Sequence, residues 1–235
     1  DSWNVEEVLD KEDNFFPNTL HWQYGHVLTI FEKALALGNQ NVVDVEKYHK
    51  LFGYGSSPKD WEDQDVPSIE EIKKDNVSEL RKIAEKTFYD TFKGSYTDEN
   101  FKKFFEENYN ETKLLSEIEH HQSFHYFYKV DDEIAGYLKL NINETQTEPK
   151  GNQYLEIQRI YFDKDYQGGG RGSQFIQLAI DKAREYNKSK IWLGVWENNP
   201  SAISFYKKQG FEITGQHDFI NGNVIDMDLI MEKEI

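Results

Sequence analysis

Between Gln167 and Ser173 the chain places glycine at positions 168, 169, 170 and 172, with Arg171 among them. Glycines leave successive backbone N–H groups unobstructed. Where such a run opens a helix, the amides and the helix dipole converge on an anion, and a pyrophosphate is the natural guest. Arg171 adds a cation within reach of a phosphate oxygen. Two common nucleotide signatures do not fit. No Gly-Lys-Ser/Thr follows, so this is not a P-loop. Counted from Gly170, the third glycine position of a dinucleotide fingerprint holds Phe175. A flexible turn is the competing reading of the glycines alone.

The strand before this loop carries a second signal. Leu155 and Ile157 are apolar at odd positions, whereas Ile160 and Phe162 are apolar at even ones. One extra residue near Gln158 and Arg159 accounts for the switch, and an extra residue is a β-bulge. A bulge there bends the strand away from a parallel neighbour at 191–196. It opens a wedge where a linear ligand can bond to the unpaired edge, much as an added strand would. A strand buried on both faces would also blur the alternation.

These residues need a frame. From position 68 onward the pattern is mixed α/β. Residues 69–72 read as a short strand. Residues 76–93, 98–108 and 111–121 read as helices, the first with Leu80, Ile83, Ala84 and Phe88 on one face. A hairpin is expected from 125–130 and 134–142 around Asp131 and Asp132, then a strand over 154–162. A helix over 170–187 follows, with Ile176, Ala179, Ile180 and Ala183 inward. Residues 191–196 form an unbroken apolar run, as expected of a strand covered on both faces. A helix over 200–209 has Pro200 in its first turn and Gly210 at its end, and a last hairpin turns at Asn221 and Gly222.

Composition narrows the function. The formal charge is −16, which repels nucleic acid and attracts cations, or simply keeps the chain soluble. There is no cysteine, so disulfides, thiolate metal sites and a cysteine-acyl intermediate are excluded, and a cytoplasmic location is expected. No apolar run is long enough to span a membrane. No secretory leader opens the chain, and a first residue of Asp1 points to a start inside a longer reading frame. His21 and His26 are five apart and His120 and His121 are adjacent. Neither spacing is that of a zinc helix, and no metal is expected.

The loop Gln167-x-x-Gly170-x-Gly172 after Ile160, Tyr161 and Phe162, followed by Asn198, Ala202, Phe205, Tyr206, Gly210 and Phe211, resembles the GNAT acetyltransferases over residues 67–235. Within that family residues 133–137, 191–198 and 202–211, with Gly215, His217 and Phe219, look like the bacterial spermidine/spermine acetyltransferases. The resemblance implies an α/β GNAT fold: a mixed central sheet of about seven strands flanked by helices. It implies acetyl-CoA as cosubstrate, with no metal. Backbone groups of Ile160 and Phe162 would bond the pantetheine arm. Gln167 and the amides of Gly168, Gly169, Gly170, Arg171, Gly172 and Ser173 would hold the pyrophosphate, and Asn198 would bond the pantetheine from the next strand.

In this reading Tyr206 protonates the departing thiolate. The acceptor is a small primary amine of polyamine type, attacking directly in a ternary complex. An amine that is mostly protonated must first lose a proton. Relatives often carry Glu nine residues before the loop glutamine. Gln158 stands there and cannot act as a base, so Glu156 is the candidate. A protein amino group or another small amine is the alternative acceptor. A non-catalytic acyl-CoA-binding module is the alternative of another class. No nucleic-acid or membrane partner is expected, and a homodimer is compatible with the family.

Residues 1–66 read as a helical segment, with apolar residues at helical spacing from Leu20 to Leu35 and an irregular stretch after Gly38. Asn18, His21, Trp22, Gly25 and His26, with Lys47 and residues 51–58, resemble the first part of a DinB-like helical domain. The later metal-binding histidine pair of those domains is missing here. Structural or surface roles are expected for these histidines, and no metal is assigned to His26.

Overall fold

The computed structural model describes residues 67–221 and 224–235, and the expectations for residues 1–66 lie outside the described residues. Strand β1 (Ser68–Glu71) leads into three helices, α1 (Val77–Phe92), α2 (Asp98–Asn108) and α3 (Glu111–Ile118). The hairpin β2 (Ser123–Val130) and β3 (Glu133–Ile142) follows, then β4 (Tyr154–Phe162), α4 (Arg171–Glu185), β5 (Lys190–Trp196), α5 (Pro200–Lys208), β6 (Glu212–Asn221) and β7 (Val224–Glu234).

Local chemistry explains most of these boundaries. In α1 the buried residues Leu80, Ile83, Ala84, Thr87, Phe88 and Phe92 recur at helical spacing, so one face turns to the sheet. Thr97 caps α2 by accepting from the Asn100 amide, and Asn110 caps α3 by accepting from the Lys113 amide. The third helix ends at Ile118 rather than 121. Asp131 and Asp132 both have φ of 59°, the geometry of a tight hairpin turn. In α4 the inward set is Phe175, Ile176, Ala179 and Ala183, so Phe175 takes the place expected of Ile180, which is only half-buried. Asn221 pairs with Val224, and residues 222–223 between them lie outside the described residues.

The strands form one mixed seven-stranded sheet in the order β1-β2-β3-β4-β5-β7-β6. Only β4 and β5 pair in parallel; the other registered pairs are antiparallel. Alternation along the strands divides the sheet into two faces. On one, Phe127, Tyr137, Tyr161, Trp196 and Phe219 join the cluster built by α1, α2 and α3 around Phe88, Phe101, Tyr109 and Leu114. On the other, Tyr128 and Phe162 meet Phe175 of α4, with ring centroids 5.6 and 5.1 Å from it.

Candidate active site

The parallel ladder between β4 and β5 is short. It pairs Tyr154 with Lys190, Leu155 with Ile191 and Glu156 with Trp192, and no registered pair follows. On its other side β4 stays paired with β3 out to Phe162. There Lys139 faces Arg159 and Leu140 faces Ile157, so Gln158 is the extra residue of a bulge. The parity switch in the sequence therefore has its expected cause. Beyond the bulge, residues 157–162 have no strand partner on the β5 side, while β5 continues to Trp196 against β7. Backbone donors and acceptors along that edge, including those of Ile160 and Phe162, stand where an extended ligand can bond to them.

Beyond β4 comes the glycine loop. Gly168, Gly169 and Gly170 have φ of +86°, +61° and +77°. Three successive left-handed residues are tolerable only as glycine. They deliver the chain to the first turn of α4 at Arg171, whose guanidinium donates to the Tyr166 carbonyl at 3.2 Å. Gln167 donates to the Phe162 carbonyl at 3.4 Å, and Ser173 accepts from Gln209 at 2.9 Å. A Cβ on Gly172 would stand 2.9 Å from the Phe205 ring, so α5 lies tightly against this turn. On α5, Tyr206 is buried, packs against Phe205 and Phe211, and has its hydroxyl pKa pushed up by that burial. It lies close enough to Tyr161 of β4 to contribute to the raised pKa there, after burial itself and Tyr109 and Asp228. Asn198 is exposed in the turn after β5. Its neighbour Asn199 caps α5, accepting from the Ala202 amide at 3.1 Å. That spacing, Asn199-x-x-Ala202, is that of a capping residue at a helix start.

The α1–α3 face of the sheet carries the polar groups beside the splay. Glu156 is buried and accepts three hydrogen bonds: from Asn141 at 2.8 Å, from the Thr147 amide at 3.0 Å and from the Thr147 hydroxyl. Burial raises its pKa despite these partners. Asn141 also donates to Gln158 at 2.9 Å, tying the bulge residue to the same group. The residue after Thr147 is Glu148, and its carboxylate holds His217 Nδ1. His217 Nε2 lies 3.7 Å from Asp228 of β7, and a Cβ on Gly194 of β5 would stand 3.3 Å from it. Burial raises the pKa of Asp228. Farther along β7, Asp226 accepts from Trp196 at 3.2 Å and from the Tyr96 hydroxyl.

A second polar cluster lies on the same face, farther under α3. Glu117 meets Arg159 at 2.7 Å and Lys139 at 2.8 Å, and Arg159 stacks over Tyr109 at 5.1 Å. Burial opposes the charge on Glu117, but Arg159 and Lys139 hold its carboxyl well below the usual range. Burial, aided by Arg159, lowers Lys139 to about 7. His125 is 2% exposed, its Nε2 is 3.9 Å from Glu117, too long for a hydrogen bond, and neither ring nitrogen has a partner among the described residues. Burial lowers it to about 4. Among the described residues no group of three or more His, Cys, Asp or Glu side chains is placed to hold a metal. No described helix is long and apolar enough to cross a membrane.

The mixed sheet thus splays after a parallel start and bulges on β4, and three glycines precede the start of α4 in the chain. Residues 78–211 match the acetyltransferase (GNAT) family, and the chain belongs to it. It is therefore an acetyl-CoA-dependent N-acetyltransferase. It is 40% identical over 167 residues to an uncharacterised N-acetyltransferase in the pepI 3′ region of Lactobacillus delbrueckii subsp. lactis, covering 71% of this chain and 96% of that one. It is 29% identical over 123 residues to a spermine/spermidine N(1)-acetyltransferase of Bacillus subtilis, covering 50% of this chain and 77% of that protein. The fold is that of the PaiA N-acetyltransferase from Thermoplasma acidophilum, solved in complex with coenzyme A, with a TM-score of 0.60 at 23% identity over 72% of this chain and 99% of that one.

Proposed function

We propose that this enzyme transfers the acetyl group of acetyl-CoA to a primary amine of polyamine type, by direct attack in a ternary complex. The observation that carries the reading is the splay: a parallel ladder that stops at Glu156 and a bulge at Gln158 leave the β4 edge open to a linear cosubstrate. The pantetheine arm bonds to the backbone of Ile160 and Phe162. The amides from Gly168 to Ser173 take the pyrophosphate, with Gln167 and Arg171 at its flanks. Asn198 and Asn199, at the end of β5, border the pantetheine. Tyr206 is our proton donor to the leaving thiolate; burial raises its pKa, so the residue is in its hydroxyl form when the thiolate departs.

Support for a cationic acceptor comes from the same sheet face. Asp226, which accepts from Tyr96 and Trp196, and Asp228, near Tyr161 and His217, lie on that face, and carboxylates beside aromatic rings suit an alkylammonium chain. The overall charge of −16 steers in the same direction. The relative named for spermine and spermidine adds weight. A chain without cysteine suits the reducing cytosol, where we place the reaction. Glu156, nominated as base, has both oxygens occupied by internal donors, so we assign it to holding the bulge and the Thr147 turn.

The test is calorimetry with coenzyme A, followed by turnover on spermidine, spermine, simple amines and peptide N-termini. Micromolar affinity and turnover on polyamines are expected. Tyr206→Phe should lower kcat about 100-fold with coenzyme A affinity kept. Turnover on peptides alone would replace the acceptor, and binding without any turnover would leave an acyl-CoA-binding module.

A further inference from the structure

We propose that His217 takes the proton from the acceptor amine, with Glu148 holding the imidazole and Glu156 holding Glu148. This rests on the acetyl-transfer reading above and adds the base which that reading lacks.

The geometry assigns the two ring nitrogens different jobs. Nδ1 meets the Glu148 carboxylate. A carboxylate there accepts, so Nδ1 carries a hydrogen, and in the neutral ring that leaves the lone pair on Nε2. Nε2 is 3.7 Å from Asp228, beyond hydrogen-bond range, so that lone pair is not consumed. It faces β5 at Gly194, two residues past the last parallel pair at Trp192, which is where the splay begins. Gly194 is exposed, and the missing side chain leaves room beneath the imidazole. An amine arriving there meets the acyl carbon from the α1–α3 face, while Tyr206 approaches from α5.

Glu148 sits on a turn rather than a strand, so something must hold it. The residue before it, Thr147, gives both its amide and its hydroxyl to Glu156. Glu156 thus acts through Thr147 and Glu148 on His217 and is a positioning residue. The buried carboxylate that the sequence offered as base becomes the anchor of the base. The charged groups facing His217 are Glu148 on the turn and Asp228 on β7, with Asp226 and Tyr161 beyond Asp228.

The step balances within the named groups. The amine nitrogen forms a bond to the thioester carbonyl carbon and the C–S bond breaks, its electron pair leaving on sulfur. The ammonium proton has first gone to solvent, and the second proton, shed as the C–N bond forms, moves to His217 Nε2. The thiolate takes the Tyr206 proton, and solvent resets both residues.

The experiment uses the full chain with acetyl-CoA and spermidine, and n-butylamine at high concentration as a minimal acceptor. His217→Gln should lower kcat/KM at least 100-fold with coenzyme A affinity within twofold of the parent. Added imidazole should restore His217→Ala severalfold, a rescue that a merely structural histidine would not show. Glu148→Gln and Glu156→Gln should each lose roughly tenfold and keep coenzyme A binding. A parent that turns over while His217→Gln stays within threefold overturns this proposal alone. So does a deficit that imidazole leaves untouched, or loss of coenzyme A binding in both His217 variants. A parent that binds coenzyme A yet is inert to both amines overturns the acetyl-transfer reading and this proposal with it.

Discussion

Two histidines occupy the same face of the same sheet and live in opposite circumstances. His125 on β2 is sealed under α3 beside Glu117, Lys139 and Arg159, with no partner for either nitrogen among the described residues. His217 on β6 keeps 28% of its side chain exposed and is bracketed by Glu148 and Asp228 at the splay. The difference shows what burial does to a polar cluster. Inside, one carboxylate serves two cations, and the surplus charge is relieved by keeping His125 neutral and drawing Lys139 down to about 7. At the edge, two carboxylates flank one partly exposed imidazole, and its Nε2 lies over Gly194, 3.7 Å from Asp228. The first arrangement fixes β2, β3, β4 and α3 to one another; the second is free to do chemistry.

The contrast breaks most forcefully at Glu117. Glu117→Ala leaves Lys139 and Arg159 buried without a counter-charge. Removing one partner of a buried ion pair costs about 3–5 kcal/mol, so the urea midpoint should fall steeply. Protein that remains folded should keep kcat/KM within a few-fold. A folded Glu117→Ala protein without activity would move this cluster into the reacting site and erase the distinction drawn here.

Next comes the acid limb of stability. The pKa of His125 falls from 6.5 to about 4 on folding. Between those values the unfolded chain binds the extra proton, so stability drops as pH falls through that window. The full contribution is about 3 kcal/mol from 1.36 kcal/mol per unit. His125→Phe should therefore flatten denaturation midpoints measured from pH 6.5 to 4. An unchanged slope would mean that another group governs the acid limb.

How much of this was open to reading from the chain depended on distance along it. The bulge showed because Leu155, Ile157, Ile160 and Phe162 lie within one strand, where a single extra residue flips every later side chain. The anion loop was legible because its glycines are consecutive, whereas Tyr206 stood out only through the family resemblance of residues 202–211. The ionic cluster did not show. Glu117, His125, Lys139 and Arg159 come from four elements, and only strand order and register bring them together. The same holds for Glu148 and His217, 69 residues apart and joined only because β7 lies between β5 and β6. Glu156 was picked for its charge and its nearness to Gln158. Its hydrogen bonds to Thr147, which decide what it can do, depend on a turn that carries no strong sequence signal. Asn199 was within reach: its spacing to Ala202 is that of a capping residue, and Pro200 after it marks the helix start.

The smallest expected effect is the most discriminating, because it touches one region and spares the other. Gly194 lies within β5, where its backbone is ordinary strand and alanine meets no conformational penalty. Its new Cβ would stand 3.3 Å from His217 Nε2 and 3.4 Å from Asp228 Oδ2. Contacts that tight require a neighbour to yield by a few tenths of an ångström. The imidazole is the part able to move, since it is partly exposed and held at one nitrogen. Gly194→Ala should therefore leave stability within about 0.5 kcal/mol and coenzyme A affinity intact, yet lower kcat/KM roughly tenfold by misplacing the base. Equal losses in coenzyme A affinity and turnover would mean that the methyl group blocks the cosubstrate, and His217 would no longer be needed to explain why this position is glycine.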